Sequence, residues 1–384
     1  MVILYNIIYI TIIIGVIMKL ICDGLDLSDA VLKVSKAIGV KKSNAILEGI
    51  HLIAKGDTLT LIATDLELSI ERVIRADVMM EGEAVVNGKY FSDFVKKLEK
   101  EQIELSCLDG ALLKIKYSDS ESEIQVFNAE EFPKINKDFN ENYFVINQKE
   151  FKNIIAKTVF ACSQDDSRPI LKGCLFEIEN NKLTSVALDG FRMAVCKKDI
   201  SSYSGDFKAI IPARTLMEIS RLLEKDEEDI KVVLQKNNLM IEADNTTLIS
   251  RLLEGEFIAY KQIIPTEFIT NARVNTSMLL SSIERASILA RTDRLSVVKF
   301  EIKEEYLNVS SRSEIGNVNE NIVINMDGKD VTIAFNSKYI LEFLKILDDE
   351  FITLYLNSAI APCVIKPFEG DEFLYLVLPV RINA

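Results

Sequence analysis

Val86-Asn87-Gly88-Lys89-Tyr90-Phe91-Ser92-Asp93-Phe94 has two counterparts further along the chain. They are Ile211-Pro212-Ala213-Arg214-Thr215-Leu216-Met217-Glu218-Ile219 and Phe335-Asn336-Ser337-Lys338-Tyr339-Ile340-Leu341-Glu342-Phe343, and the three align without gaps. The basic residue recurs at 89, 214 and 338, in steps of 125 and 124 residues. Apolar residues in each copy keep the spacing of one helix face: Phe91, Phe94 and Leu98; Leu216, Ile219 and Leu223; Ile340, Phe343 and Leu347. Each copy therefore predicts a helix ending near Leu98, Leu223 or Leu347. A period this long is not that of a solenoid; it means tandem domains.

Other landmarks keep the step. Phe132 and Phe257 each follow an acidic turn, and Asp65 and Asp189 each end a strand-like run. An earlier helix in each unit carries Lys36, Lys157 or Arg285. Alternating runs such as Leu59-Thr60-Leu61-Ile62-Ala63 lie between the helices and read as strands. The expected fold is α+β, with three repeats of two helices and mostly antiparallel sheet, over 18–140, 141–267 and 268–384. Residues 1–17 form an apolar extension with no Lys or Arg before Lys19. It lacks the basic start of a secretory signal, so Met18 is read as the true beginning, with a membrane tether as the runner-up.

Composition excludes several classes. The 384 residues carry 45 Lys and Arg against 58 Asp and Glu, a net charge of −13, which argues against a protein gripping DNA with its whole surface. One histidine, His51, cannot supply an HExxH or multi-histidine metal site. Six cysteines without a CxxC pair read as reduced, half-buried core residues of a cytoplasmic protein. No GxG stands for a dinucleotide, and Gly82–Gly88–Lys89–Tyr90 misses the phosphate-loop pattern by one residue and by Tyr90. No cofactor, metal or catalytic residue is expected.

A second base lies seven residues after each first one: Lys96, Arg221 and Lys345. Seven residues are about two helical turns, so each pair shares a face away from the apolar stripe. Asp93, Glu218 and Glu342 are spaced to pair with the first base, as on any solvated face. Three copies in an acidic chain instead favour presentation to a polyanion. At packing distances of about 8–10 Å, six helices in a ring enclose roughly 18 Å and twelve roughly 35 Å. Only the larger bore admits duplex DNA, a rod roughly 20 Å across. Two chains joined head-to-tail would close it.

At this point the sequence resembles the bacterial sliding clamps, the β subunits of DNA polymerase III, from Met18 to Ala384. The resemblance rests on Asp166-Ser167-Arg168-Pro169-Ile170-Leu171-Lys172-Gly173, Ala187-Leu188-Asp189-Gly190-Phe191-Arg192-Met193-Ala194-Val195, Leu252-Leu253-Glu254-Gly255-Glu256-Phe257 and Leu378-Pro379-Val380-Arg381-Ile382, in that order. It implies a non-catalytic homodimeric ring, half of it supplied by each chain, that encircles duplex DNA without sequence preference and tethers the polymerase. It also implies a groove for short hydrophobic peptides of the polymerase, the clamp loader and other partners. The matching positions are Leu171, Leu188, Gly190, Phe191, Arg192, Met193, Ile258, Gln262, Ile263, Pro362, Leu376, Val377, Leu378, Pro379 and Val380, with Arg192 orienting the peptide. Phe191 stands where many relatives have His, Leu188 where many have Thr, and Gln262 where some have Arg; these departures bear on peptide preference. The resemblance further implies DNA contacts at Lys41, Lys42 and Arg168, and a subunit contact between Ile124 and Val126 on an edge strand and Ile288 and Leu289 at a helix end.

Two other functions compete. Asp65-Leu66-Glu67 has the D-x-E spacing of metal-dependent exonucleases. Asp189 at the equivalent place argues for a turn instead, since a unique active site does not recur with the fold. The apolar extension would suit a membrane-tethered scaffold.

Overall fold

The computed structural model describes residues 16–39, 44–98, 101–108, 110–137, 142–290 and 296–381. Among them are six α-helices, two in each repeat: α1 (Gly24–Val34), α2 (Gly88–Val95), α3 (Gln148–Val159), α4 (Ala213–Leu222), α5 (Thr276–Ala290) and α6 (Ser337–Leu344). Short polar residues start them. Asp23 accepts the backbone N–H of Leu25 at 2.8 Å, Asn87 that of Tyr90 at 3.2 Å, Asn147 that of Lys149 at 3.0 Å, and Asn336 that of Lys338 at 2.9 Å. Each such cap stabilises its helix by about 1 kcal/mol. In the second repeat Pro212 stands in the aligned position and needs no N–H of its own.

The apolar stripes are buried as expected: Phe91, Leu216, Ile219, Ile340 and Phe343 are almost wholly removed from solvent. The helix ends differ. α2 stops at Val95 and α6 at Leu344, three residues before Leu98 and Leu347. Those leucines follow on a tighter turn, with Leu98 N–H on Val95 O at 2.8 Å and Leu347 N–H on Leu344 O at 3.3 Å. Lys96 and Lys345 accordingly sit at the helix C-caps, where a cation also meets the negative end of the helix dipole. The first strand, Val16–Asp23, starts two residues upstream of Met18. Residues 1–15 lie outside the described residues, and no described helix is long and apolar enough to cross a membrane.

The chain forms two compact units. The first takes residues up to 145 with 221–224 and 228–251; the second takes 146–220, 225–227 and 252 onward. They do not follow the repeat boundaries, because sheets cross them. In the first unit strand Thr246–Arg251, from the second repeat, runs antiparallel to Leu68–Arg75 from the first, with Leu248 opposite Ile70. In the second unit Arg192–Asp199 runs antiparallel to Phe373–Val377 from the third repeat, with Met193 opposite Leu376. That pairing joins nine strands into one sheet. A separate four-stranded sheet orders Gly316–Val323, Tyr306–Ser313, Val297–Ile302 and Val331–Asn336, and α5 packs on it.

The lone histidine is structural. His51 is buried against the Phe132 ring, with centroids 4.9 Å apart, and its Nε2 lies 2.9 Å from Glu83 Oε2. Burial holds its pKa below the ordinary 6.5 although Glu83 pulls the other way. The six cysteines are fully buried rather than half-buried.

Candidate groove and basic helix faces

The residues expected to line a groove separate into a buried set, its expected floor, and an exposed set, its expected rim, both within the second unit. Leu171, Leu188, Met193 and Leu376 belong to one buried apolar cluster with Leu175, Val186, Ile210, Tyr260 and Val364. Leu378 packs against that cluster and is half-buried, as are Pro362, Pro379 and Val380. Gly190, Phe191, Ile258, Gln262 and Ile263 are exposed. Val377 is buried opposite both Arg192 and Cys363. Buried apolar side chains beside the exposed Phe191, Ile258 and Ile263 are the composition that a peptide groove requires.

Sequence and backbone explain how the rim is held. After strand Lys182–Leu188, Asp189 Oδ1 accepts the N–H of Phe191 at 2.8 Å and of Arg192 at 3.0 Å, and Gly190 takes a left-handed φ of 93°. This turn lifts Phe191 out and sends Arg192 in. Phe191 O then accepts the N–H of Leu378 at 2.8 Å, while Val380 N–H reaches Ala334 O at 2.8 Å. The terminal segment is thereby pinned beside the turn.

On the far side, Tyr260 OH donates to Glu177 Oε1 at 2.7 Å inside the fold. Burial and that bond push the Tyr260 hydroxyl well above its usual range. Lys261 adds a bond to Glu179 at 2.9 Å. Together they fix the short helix Tyr260–Gln262, which Ile258 and Ile263 flank. Sequence reasoning missed this latch. Its signal was an acid, Glu177, in the same strand phase as the core residue Leu175.

Arg192, expected to orient a peptide, has its guanidinium engaged within the chain. It is only 7% exposed, and each of its three nitrogens has a partner in the chain. Nε donates to Asp189 Oδ2 at 3.1 Å, Nη1 to Glu342 Oε2, and Nη2 to Phe160 O at 2.8 Å. Its guanidinium also lies 4.5 Å from the centroid of Tyr339, and Phe191 stacks on Tyr339 at 6.3 Å. Arg192 is a bolt between Asp189 in the second repeat and α6 in the third. Replacing it with Met leaves two carboxylates without their cation. Breaking such a pair from one side should cost about 3 kcal/mol, read as a lower urea midpoint at an unchanged slope.

The structure sorts the basic residues by their partners. Lys36, Lys89, Lys96, Arg168, Arg214, Arg221, Arg285, Lys338 and Lys345 are exposed and Lys157 is half-buried. Lys338 lies 3.8 Å from Glu342 and Lys96 3.8 Å from Asp93, loose surface pairs worth little. Lys345 meets Glu284 at 3.2 Å. Arg285 is held by both oxygens of Glu320, at 2.6 and 2.5 Å, and Lys157 lies 5.4 Å from the Phe373 centroid. These two are less available to an outside anion than the sequence suggested. Lys41 and Lys42 lie outside the described residues.

Of the expected subunit contact, strand Ser120–Phe127 pairs over 120–125 with Leu112–Tyr117. It is not a free edge throughout, since Val126 and Phe127 also pair with Val86 and Val85 of strand Gly82–Asn87. Ile124 and Val126 are half-buried. Ile288 is 64% exposed near the end of α5, with Leu289 half-buried beside it. Gly316–Val323, on which α5 packs, ends its sheet among the described residues.

Asp65 forms a turn like that of Asp189. Its Oδ1 accepts the N–H of Glu67 at 3.0 Å and of Leu68 at 2.7 Å. Leu66 there has a φ of 73° where the equivalent residue is Gly190. Among the described residues no cluster of His, Cys, Asp and Glu is placed to hold a metal ion.

Comparison with known proteins gives one consistent result. The family models for the DNA polymerase III beta subunit match in order: the N-terminal domain over 18–136, the central domain over 145–258 and the C-terminal domain over 261–381. The beta sliding clamp of Halalkalibacterium halodurans is 32% identical over 362 residues, 91% of this chain and 95% of that one. The crystal structure of the DNA polymerase sliding clamp from Bacillus subtilis superposes with a TM-score of 0.93 at 31% identity, over 95% of this chain and all of that one. The DNA polymerase III beta chain from Streptococcus pneumoniae superposes with a TM-score of 0.91 at 29% identity, with the same coverage.

Proposed function

The chain belongs to the DNA polymerase III beta subunit family, the sliding clamps, and from that premise we propose that two copies close head-to-tail around duplex DNA and carry the polymerase along it. The family is a non-catalytic processivity factor with DNA and polymerase as partners. One observation carries the reading: the three beta-subunit domains follow each other over 18–381, one to each sequence repeat. The repeats 18–140, 141–267 and 268–384 are the units we assign to the half-ring.

In this reading Lys89, Arg214 and Lys338 lead the DNA-facing set, joined by Lys36, Lys96, Arg168, Arg221 and Lys345. Lys41 and Lys42 stay in the set on the strength of the family resemblance alone. The groove over Leu171, Leu188, Met193 and Leu376 takes a short hydrophobic peptide of the polymerase or of the clamp loader. The subunit contact sets Ile124 and Val126 against Ile288 and Leu289, covering side chains that a lone chain would leave at an edge. Six buried thiols suit a reducing compartment, which supports the cytoplasm as the place of work.

Topology supplies the test. After loading by an ATP-driven loader, the protein should stay on nicked circular DNA and leave once that DNA is cut to a line. Equal retention on both forms would sink the ring.

A further inference from the structure

Two thiols in this chain lie in contact. Cys162 Sγ is 3.5 Å from Cys174 Sγ, and both side chains are buried. No other cysteine pair among the described residues shares such a contact. Cys162 lies on the turn after α3, and Cys174 is the second residue of strand Gly173–Glu179, opposite Ile211. Between them runs a loop whose residues 164–169 are exposed. It carries Arg168 of the DNA-facing set and Leu171 of the groove floor, so the two sulfurs close the base of a functional loop.

We propose that Cys162 and Cys174 are a reversible redox site, oxidised by a peroxide to a disulfide that ties off this loop and weakens peptide binding in the groove. The effect on binding rests on the groove reading above; the chemistry does not. Two S–H bonds and the peroxide O–O bond break, while one S–S bond and two O–H bonds form. The sulfurs are oxidised, the peroxide is reduced, and two water molecules leave. A thiol reductant reverses the step by exchange.

Position explains why the groove should respond. A disulfide needs about 2.0 Å between sulfurs, so they must close by roughly 1.5 Å. Residues beside Cys162 hold the groove. Ser163 N–H donates to Leu171 O at 2.8 Å, and Phe160 O accepts from Arg192 at 2.8 Å. A close-packed interior passes such a shift on rather than absorbing it. The hydrogen bond to Cys174 and burial raise the Cys162 thiol far above its ordinary range, so thiolate is scarce and the reaction slow. Burial also raises the Cys22 thiol to about 12 and the Cys196 thiol to about 11. Lacking a sulfur neighbour, these should stay reduced.

The experiment treats the full-length protein with hydrogen peroxide, alkylates the remaining thiols, digests without reductant and weighs the peptides. A Cys162–Cys174 linked pair, two hydrogens lighter than the free peptides and split by reductant, is the expected product. It should be absent from Cys174→Ser and, as a second variant, from Cys162→Ala. In parallel, a labelled peptide bearing adjacent Leu and Phe is titrated into reduced, oxidised and re-reduced protein. Oxidation should weaken binding by about fivefold or more, the low end of ordinary coupling between sites. Re-reduction should restore it, and neither variant should respond to peroxide. Recovery of both cysteines as alkylated thiols, or as separately over-oxidised acids, overturns the redox site. A linked pair with unchanged affinity overturns its link to the groove. If the reduced protein fails to bind the peptide, the groove reading falls, while the mass measurement still decides the chemistry.

Discussion

A chain carrying Lys89→Glu, Arg214→Glu and Lys338→Glu together should fold and dimerise, yet load poorly and lose most of its processive synthesis. All three residues are exposed and hold the same place on α2, α4 and α6, the first base of each repeated segment. Removing three phosphate contacts should lower the salt slope of DNA association by about 0.9 for each, and the new carboxylates add repulsion. The folding cost should be small, within about 0.5 kcal/mol per exposed site. Each new Glu also faces an acid one turn on, Asp93, Glu218 or Glu342, an unfavourable pair of about 0.3 kcal/mol apiece. Circular dichroism and solution mass check the fold and the dimer; primer extension on a long template reads processivity at two salt concentrations. Arg285→Gln is the internal comparison. Glu320 already neutralises Arg285 on both oxygens, so its loss should matter less than Lys89→Gln. Unchanged processivity in the folded triple variant would reduce these bases to a solvated face.

The repeat made the local structure legible, and for a physical reason. Buried stripes are set by residues a few positions apart, so Phe91, Phe94 and Leu98, and Ile340, Phe343 and Leu347, predict α2 and α6. Strand partners are chosen over long separations. Nothing near Leu68–Arg75 announces Thr246–Arg251 as its neighbour, nor does Arg192–Asp199 announce Phe373–Val377. The repeats were therefore readable, and the sheets that cross them were not. The same distance rule explains Arg192. Its pattern with Asp189 and Gly190 is local and drew attention to the turn, but its other partners, Phe160 and Glu342, lie 32 and 150 residues away. By spacing, Glu342 is the i+4 partner of Lys338. That pair exists at 3.8 Å, yet the other oxygen of Glu342 serves the buried Arg192. Leu66 shows the converse. The turn geometry repeats, but only the second copy has the glycine that a left-handed φ favours.

Removing Leu378–Ala384 should sharply weaken polymerase and loader binding together while leaving the dimer intact. Among the described residues of this segment, Leu378 is the one packed against the apolar cluster that includes Leu171, Met193 and Leu376. Two backbone bonds pin the segment, Leu378 N–H to Phe191 O and Val380 N–H to Ala334 O, and Pro379 between them has no N–H to offer. Their loss should cost about 1 kcal/mol each, too little to unfold a core whose strand Phe373–Val377 is retained. The binding loss is larger in proportion. An anchoring side chain of the partner gains about 1.5–3 kcal/mol from full burial, and with one wall of the groove gone it stays partly wet. Two anchors losing half of that, about 1.5–3 kcal/mol in all, would weaken binding by about ten- to a hundredfold. Both partners should fall together because the proposal gives them one groove. None of the basic positions on α2, α4 and α6 is touched, so DNA contacts remain as a control. Polymerase binding at full affinity after the deletion would place the partner site elsewhere. Loss of loader binding alone would mean two sites rather than one.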